Sequence, residues 1–195
     1  MPGSKKKRPI IVCDASPLIF LAKLDQLGLI EQVTGRGAVV LRCVVDEVLS
    51  KRAMPLEAER LAEWLSAVEV VDYTGSLFPT DALSRSDQSS LAWAVENHVE
   101  WLLADERLLR RFAQERGIQV IGFCGLLLQA VSRNCMPPEG ARTAIDTAIR
   151  DHGFRISVDL YQQIVDCLGR RTKDGERRTE DGERRTEDGE RRAEG

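Results

Sequence analysis

Apolar residues in this chain fall into short unbroken runs, and the segments between them carry apolar positions at helical spacing. The first run, Ile10-Ile11-Val12-Cys13, ends on Asp14 and is followed at once by Ala15-Ser16-Pro17-Leu18-Ile19. Four apolar residues without alternation predict a strand buried on both faces, as in a parallel sheet covered by helices. Ser16 is the predicted N-cap of the next helix, and Pro17 suits its first turn because proline's missing donor is not needed there. Asp14 then stands at the carboxyl end of a strand, where open α/β sheets place their ligands.

The alternation continues down the chain. Leu18 to Leu24 reads as a helix, Gln26 to Val33 as a second short one, and Gly35-Arg36-Gly37 as a turn into a strand at Ala38-Val39-Val40-Leu41. A helix from Cys43 to Arg52 carries Asp46 and Glu47, another starts at Pro55, and Val68-Glu69-Val70-Val71 returns as a strand. A loop rich in Gly, Ser, Thr and Pro runs from Asp72 to Leu83. Ser86 is the predicted cap of the following helix, with Asp87 in its first turn on one stripe with Leu91 and Val95. Trp101-Leu102-Leu103-Ala104 is the next buried strand; it ends on Asp105-Glu106 before a helix with Leu108, Leu109, Phe112 and Ala113. The opening order of strand, acid and helix has repeated. A strand at Ile118 to Ile121 and helices over 125–133, 139–151 and 157–168 complete the series. Strands alternating with helices predict an α/β fold, with a mostly parallel sheet between helical layers.

Composition sets the bounds. The 195 residues are 43% apolar, enough for one core over residues 10–168. A formal net charge of -3 offers no bulk attraction to a polyanion, so a nucleic acid would be held by local cations. Five cysteines, at positions 13, 43, 124, 135 and 167, form no CxxC and no Cys/His cluster, which predicts reduced core thiols rather than a zinc site or a disulfide framework. No apolar stretch reaches the roughly 20 residues that span a bilayer, and no apolar signal segment opens the chain, so a cytoplasmic protein without a membrane partner is expected. Residues 1–9, with Lys5-Lys6-Lys7-Arg8, read as a flexible basic terminus, and residues 169–195 as a disordered tail. The seven-residue repeat that begins at Arg170 has no apolar position to form a coiled-coil seam, and its nine basic and nine acidic residues cancel.

Candidate chemistry rests on four carboxylates: Asp14 and Asp105 at strand ends, Glu47 on a helix after a strand, and Asp87 at a helix start. Hard cations take such oxygens. Magnesium keeps most of its waters and is held by a few carboxylates plus substrate phosphate, where it activates water and stabilises charge on a phosphodiester. Each acid also has a plainer reading. Asp14 and Asp105 could serve neighbouring helix N-termini, and Asp87 could answer the helix macrodipole. Periodicity does not separate Glu47 from Asp46, since both lie roughly 130° from the centre of the Val44, Val45, Val48, Leu49 stripe.

The chain resembles PIN-domain proteins, in the branch similar to VapC-type toxin ribonucleases. The likeness covers residues 10–168 and rests on Asp14-Ala15-Ser16-Pro17-Leu18-Ile19 with Leu21-Ala22-Lys23, Val44-Val45-Asp46-Glu47-Val48-Leu49, Asp87 before Leu91-Ala92, and Leu102-Leu103-Ala104-Asp105-Glu106. Gly117 to Leu128, and Gly153-Phe154-Arg155-Ile156-Ser157 before Leu160-Tyr161, add to it. The resemblance implies a three-layer α/β/α sandwich and an endoribonuclease dependent on Mg²⁺ or Mn²⁺. By position it makes Asp14, Glu47, Asp87 and Asp105 the catalytic, metal-binding quartet, Glu106 an auxiliary metal acid, and Ser16 the hydroxyl that supports the first acid. It also implies an RNA substrate, control by a small antitoxin protein, and homodimers. One departure stands out: Ser86-Asp87 occupies the place where this branch usually has Gly-Glu, and the shorter carboxylate reaches less far.

Two functions follow from these residues. The first is a metal-dependent endoribonuclease acting as the toxin of a toxin-antitoxin pair, with Arg107, Arg110, Arg111 and Lys23 as candidate phosphate contacts. The second is a catalytically weak or inactive PIN-fold interaction module, for which Ser86-Asp87 speaks. A receiver-like phosphoacceptor would want paired acids after the first strand, and a haloacid-dehalogenase-type phosphatase Asp-x-Asp; Ala15-Ser16 follow Asp14 instead.

Overall fold

In the computed structural model, which describes residues 10–50, 55–78 and 80–170, five strands form one all-parallel sheet. They are β1 (Ile10–Cys13), β2 (Gly37–Leu41), β3 (Glu69–Val71), β4 (Trp101–Leu103) and β5 (Gln119–Ile121), in the order β3-β2-β1-β4-β5. Cys13 is paired with Val40 on one side and Leu103 on the other. The chain thus starts at the centre, builds outward through β2 and β3, then returns to build the other half through β4 and β5. The reversal falls between β1 and β4, the position at which such sheets open a crevice beyond their carboxyl ends.

Helices connect the strands: α1 (Ala15–Lys23), α2 (Leu29–Thr34), α3 (Arg42–Ser50), α4 (Pro55–Ala67), α5 (Arg85–Glu96), α6 (Arg107–Gln114) and α7 (Phe123–Ser132). The result is an α/β/α sandwich, the parallel sheet between helical layers expected from the alternation. The unbroken runs are buried as predicted, with Ile11, Val12, Cys13, Val39, Val40, Leu41, Leu102 and Leu103 all fully inaccessible.

The chain divides after Cys135 into two compact units. The second contains α8 (Pro138–His152) and a ninth helix, α9, over 158–170. Gly153 ends α8 in the left-handed region at φ +72°, which a residue with a Cβ adopts only under strain, and the Phe154 N–H returns to the Ala148 carbonyl at 2.9 Å. Tyr161 of α9 donates to Asp146 Oδ1 of α8 at 2.7 Å. The helix runs through residue 170, so residues 169 and 170 do not belong to a disordered tail. The basic segment 1–9, the end of the helix expected to reach Arg52, and the repeat beyond residue 170 lie outside the described residues.

Two predicted caps are displaced. Asp14, not Ser16, is the N-cap residue of α1, because its extended backbone (φ −87°, ψ 162°) is the last non-helical position before Ala15. Ser84, not Ser86, caps α5; its hydroxyl accepts from the Asp87 N–H at 3.1 Å while the Asp87 carboxylate accepts from the Ser84 N–H at 3.3 Å. That reciprocal pair is a capping box with Asp in the usual place of Glu or Gln. Ser84→Ala should lower stability by about 0.5–2 kcal/mol, read as a lower urea midpoint at unchanged slope.

All five cysteines are free, in keeping with the absence of a disulfide framework. Only Cys13 is fully buried, whereas Cys43, Cys124 and Cys167 are partly exposed and Cys135 is exposed, so the expectation of core thiols holds for one. Among the described residues no helix is long and apolar enough to cross a membrane.

Candidate active site

Asp14 is set by the sheet. Its N–H donates to the Leu103 carbonyl at 2.9 Å, which extends the β1–β4 pairing by one residue and fixes the backbone at the crevice. The side chain is 3% exposed, and its Oδ1 has no hydrogen-bond partner. A buried carboxylate without a partner is costly. Burial, first, and then the charge and hydrogen-bonding contact of Asp87, with a smaller push from Glu47, raise its pKa to about 8; the Ala15 N–H opposes them. Two of the other predicted acids, Asp87 and Glu47, therefore act on Asp14.

Glu47 and Asp46, which periodicity leaves equivalent, separate in the structure. Asp46 is exposed, whereas Glu47 is half-buried and accepts a hydrogen bond from the hydroxyl of Ser86 on α5. Asp87 is half-buried in the first turn of α5, tied to Ser84 through its cap. Of the α5 stripe expected to join Asp87, Leu91 and Val95, Leu91 is fully buried while Asp87 and Val95 are half-buried, and the buried face also carries Ser86, Ser89, Ser90, Ala92 and Ala94.

Asp105 is held differently. Its Oδ1 accepts from the Phe123 N–H at 2.9 Å, the first amide of α7, so the plainer reading of a helix N-terminus applies to this oxygen. Oδ2 is buried and without a partner. Burial raises its pKa, and the Phe123 amide and then the Arg110 guanidinium lower it. Arg110 Nη1 in turn donates to the Ala104 carbonyl at 3.2 Å. Gly122 makes room for both groups, since a Cβ there would lie 2.6 Å from Asp105 Oδ1 and 2.6 Å from Arg110 Nη1.

Glu106 is the N-cap of α6, accepting from the Leu108 N–H at 3.2 Å, and is exposed. No hydrogen bond joins Ser16 to Asp14 among the described residues; Ser16 is half-buried in the first turn of α1. Of the four basic candidates, Arg110 serves the Ala104 carbonyl and Arg111 pairs with Glu115 at 2.9 Å. Arg107 is exposed and Lys23 half-buried. Sequence reasoning missed Ser84, the bond of Ser86 to Glu47, and Gly122. The spacing Ser84-x-x-Asp87 carried the signal for the first, and Gly122 between a strand and a helix carried it for the third.

Among the described residues no three His, Cys, Asp or Glu side chains stand arranged to hold a metal ion. A hard cation needs less than that, because magnesium is usually held by one or two carboxylates together with waters and substrate phosphate. The donor set fits such an ion: Asp14 Oδ1 is buried and unpartnered, and a second carboxylate, Asp87, presses on it. A divalent cation would turn both unfavourable features into favourable ones.

The sequence profile of the family DUF3368, described as PIN domain, matches residues 10–170. No curated protein matches the chain. Among solved structures, a PilT N-terminus domain protein from the hyperthermophilic archaeon Sulfolobus solfataricus is similar at 17% identity, over 63% of this chain and 93% of that one, with a TM-score of 0.49. With a match from the first strand to the end of α9, and with the parallel sheet and strand-end acids described above, the chain belongs to the PIN-domain family, a nuclease fold.

Proposed function

We propose that the protein is a metal-dependent endoribonuclease using Mg²⁺ or Mn²⁺, acting in the cytoplasm as the toxin of a toxin-antitoxin pair and held in check by a small antitoxin protein. The observation that carries this reading is the buried Asp14 carboxyl at the β1–β4 crevice, with one oxygen, Oδ1, unpartnered and with Asp87 and Glu47 pressing on it. Asp14 and Asp87 would hold the metal, with Glu47 and Asp105 beside them. When bound, the metal would lower the pKa of a water and stabilise charge on the phosphodiester.

The chain's own groups do the rest. Asp14 is fixed by backbone pairing, Asp87 by the Ser84 cap, Glu47 by Ser86 and Asp105 by the amide of Phe123, so each acid is anchored by a neighbouring group. Low exposure of Asp14 would keep bulk water from screening its attraction to a bound cation. Homodimers, the other expectation from the family likeness, belong to the same proposal.

The test is cleavage of a mixed structured RNA by the purified chain with Mn²⁺, with Mg²⁺ and with chelator, beside Asp14→Asn prepared identically. Cleavage that requires metal and disappears in the variant is expected. Equal cleavage by both proteins would mark a contaminant. No cleavage by either, together with no Mn²⁺ binding, would leave the second reading, an inactive PIN-fold module, which the engagement of Asp105 with α7 favours.

A further inference from the structure

The amino end of α5 carries a series of hydrogen bonds that ends on an acid of another helix. The Asp87 N–H donates to Ser84 Oγ at 3.1 Å, Ser84 Oγ lies 3.0 Å from Ser86 Oγ, and Ser86 Oγ donates to Glu47 Oε2 of α3. A hydroxyl has one proton to give. Ser86 gives its proton to Glu47, so in the pair of serines Ser84 is the donor. All three bonds then run in one direction, from the helix amide to the carboxylate, and each polarises the next. The amino end of α5 adds its partial positive charge to the same effect.

Position makes this more than a surface pair. Ser86 is 9% exposed, and a buried hydroxyl is costly without a partner, so its bond to Glu47 is strongly favoured over rotation to water. Glu47 is the acid whose placement periodicity leaves open, and it acts on Asp14. Asp87 is drawn back toward the Ser84 N–H by the capping box, which shortens the reach of an already short side chain.

We propose that Ser86 is a positioning residue: its hydroxyl, backed by Ser84, holds the Glu47 carboxylate toward Asp14 and Asp87 and thereby sets how tightly this edge takes a divalent cation. The proposal rests on the nuclease reading above and adds to it a residue outside the quartet. Partners of this kind, one step removed from a metal, are worth roughly 10–100-fold in metal affinity.

Calorimetric titration of Mn²⁺ into the full chain tests it, with melting curves to confirm folding and RNA cleavage measured in parallel. Ser86→Ala should weaken Mn²⁺ by about 10-fold or more, Ser86→Thr should retain wild-type affinity, and kcat should fall with KM little changed. The double variant Ser86→Ala/Glu47→Gln should bind no more weakly than Glu47→Gln alone, because the hydroxyl acts only through that carboxylate. Should Ser86→Ala fail to fold, Ser86→Cys, of similar size with a weaker donor, takes its place and should show an intermediate loss. Wild-type affinity in Ser86→Ala or Ser86→Cys, or losses that simply add in the double variant, would overturn the proposal while Asp14→Asn still fails to bind. Indistinguishable titrations of wild type and Asp14→Asn would instead remove the metal reading, and the positioning role with it.

Discussion

Asp14→Asn should melt at a higher temperature than the wild-type chain above pH 8, and should at the same time lose RNA cleavage by about 100-fold or more, roughly 2.7 kcal/mol of barrier. The stability half follows from linkage. The folded carboxyl, raised to about 8 by burial and by Asp87, keeps its proton over a range in which an unfolded aspartate, with a pKa of about 3.9, has lost it. The folded state therefore binds more protons than the unfolded state between about pH 4 and 8, and the stability of the metal-free chain falls as pH rises through that window. Asparagine has no charge to desolvate and removes this slope. Relief of one buried unpaired group is worth about 1–3 kcal/mol, and each kcal/mol moves the midpoint of a chain this size by about 2–4 °C. Melting curves of both proteins in chelator at pH 5, 7 and 9 check it. Parallel curves with no divergence at pH 9 would show that Asp14 is not held as an unsatisfied carboxylate. Opposite effects on stability and activity are the mark of a residue kept for chemistry rather than for the fold.

Gly122→Ala should produce the second large effect, on stability first. Its Cβ would meet Asp105 Oδ1 and Arg110 Nη1 at 2.6 Å each, closer than any real carbon is found, and the flexible groups must give way. The price is the bond from the Phe123 N–H to Asp105, a hydrogen bond to a charged group worth about 1.5–3 kcal/mol. The glycine backbone is extended (φ −104°, ψ 175°), so strain in φ plays no part and the whole effect is contact. Urea denaturation measures the loss. If cleavage also falls in the folded protein, Asp105 contributes to the reaction through the placement that Gly122 permits; unchanged cleavage would make its role that of an α7 cap.

Much of this was legible in the chain. The runs at Ile10, Ala38, Trp101 and Ile118 form parallel strands within a residue or so of their predicted ends, because apolar runs this short, set between helical segments, are too short to be helices themselves. Asp14 and Asp105 were marked by ending such runs. Glu47 is not separable from Asp46 by periodicity, since both flank the apolar stripe of α3, and tertiary contacts such as that with Ser86 of α5 distinguish them. The cap of α5 lies two residues ahead of the predicted one because Ser84 and Ser86 are the same residue type, and three-residue spacing to Asp87 outranks proximity to the apolar run. Tertiary partners such as Phe123 for Asp105 lie 18 residues away and leave no periodic trace.

Ile11 and Trp101 sit side by side in the sheet although ninety residues of chain separate them. The half built from β1, β2 and β3 uses neighbours in sequence, whereas the other edge of β1 waits for β4, and the loop that must close is long. During synthesis the segment bearing Asp14 and Glu47 is therefore made well before the one that secures the Asp14 backbone through Leu103. An unfinished chain has one free edge on β1 and no anchor for the Asp14 backbone, so the crevice is complete only once β4 has left the ribosome.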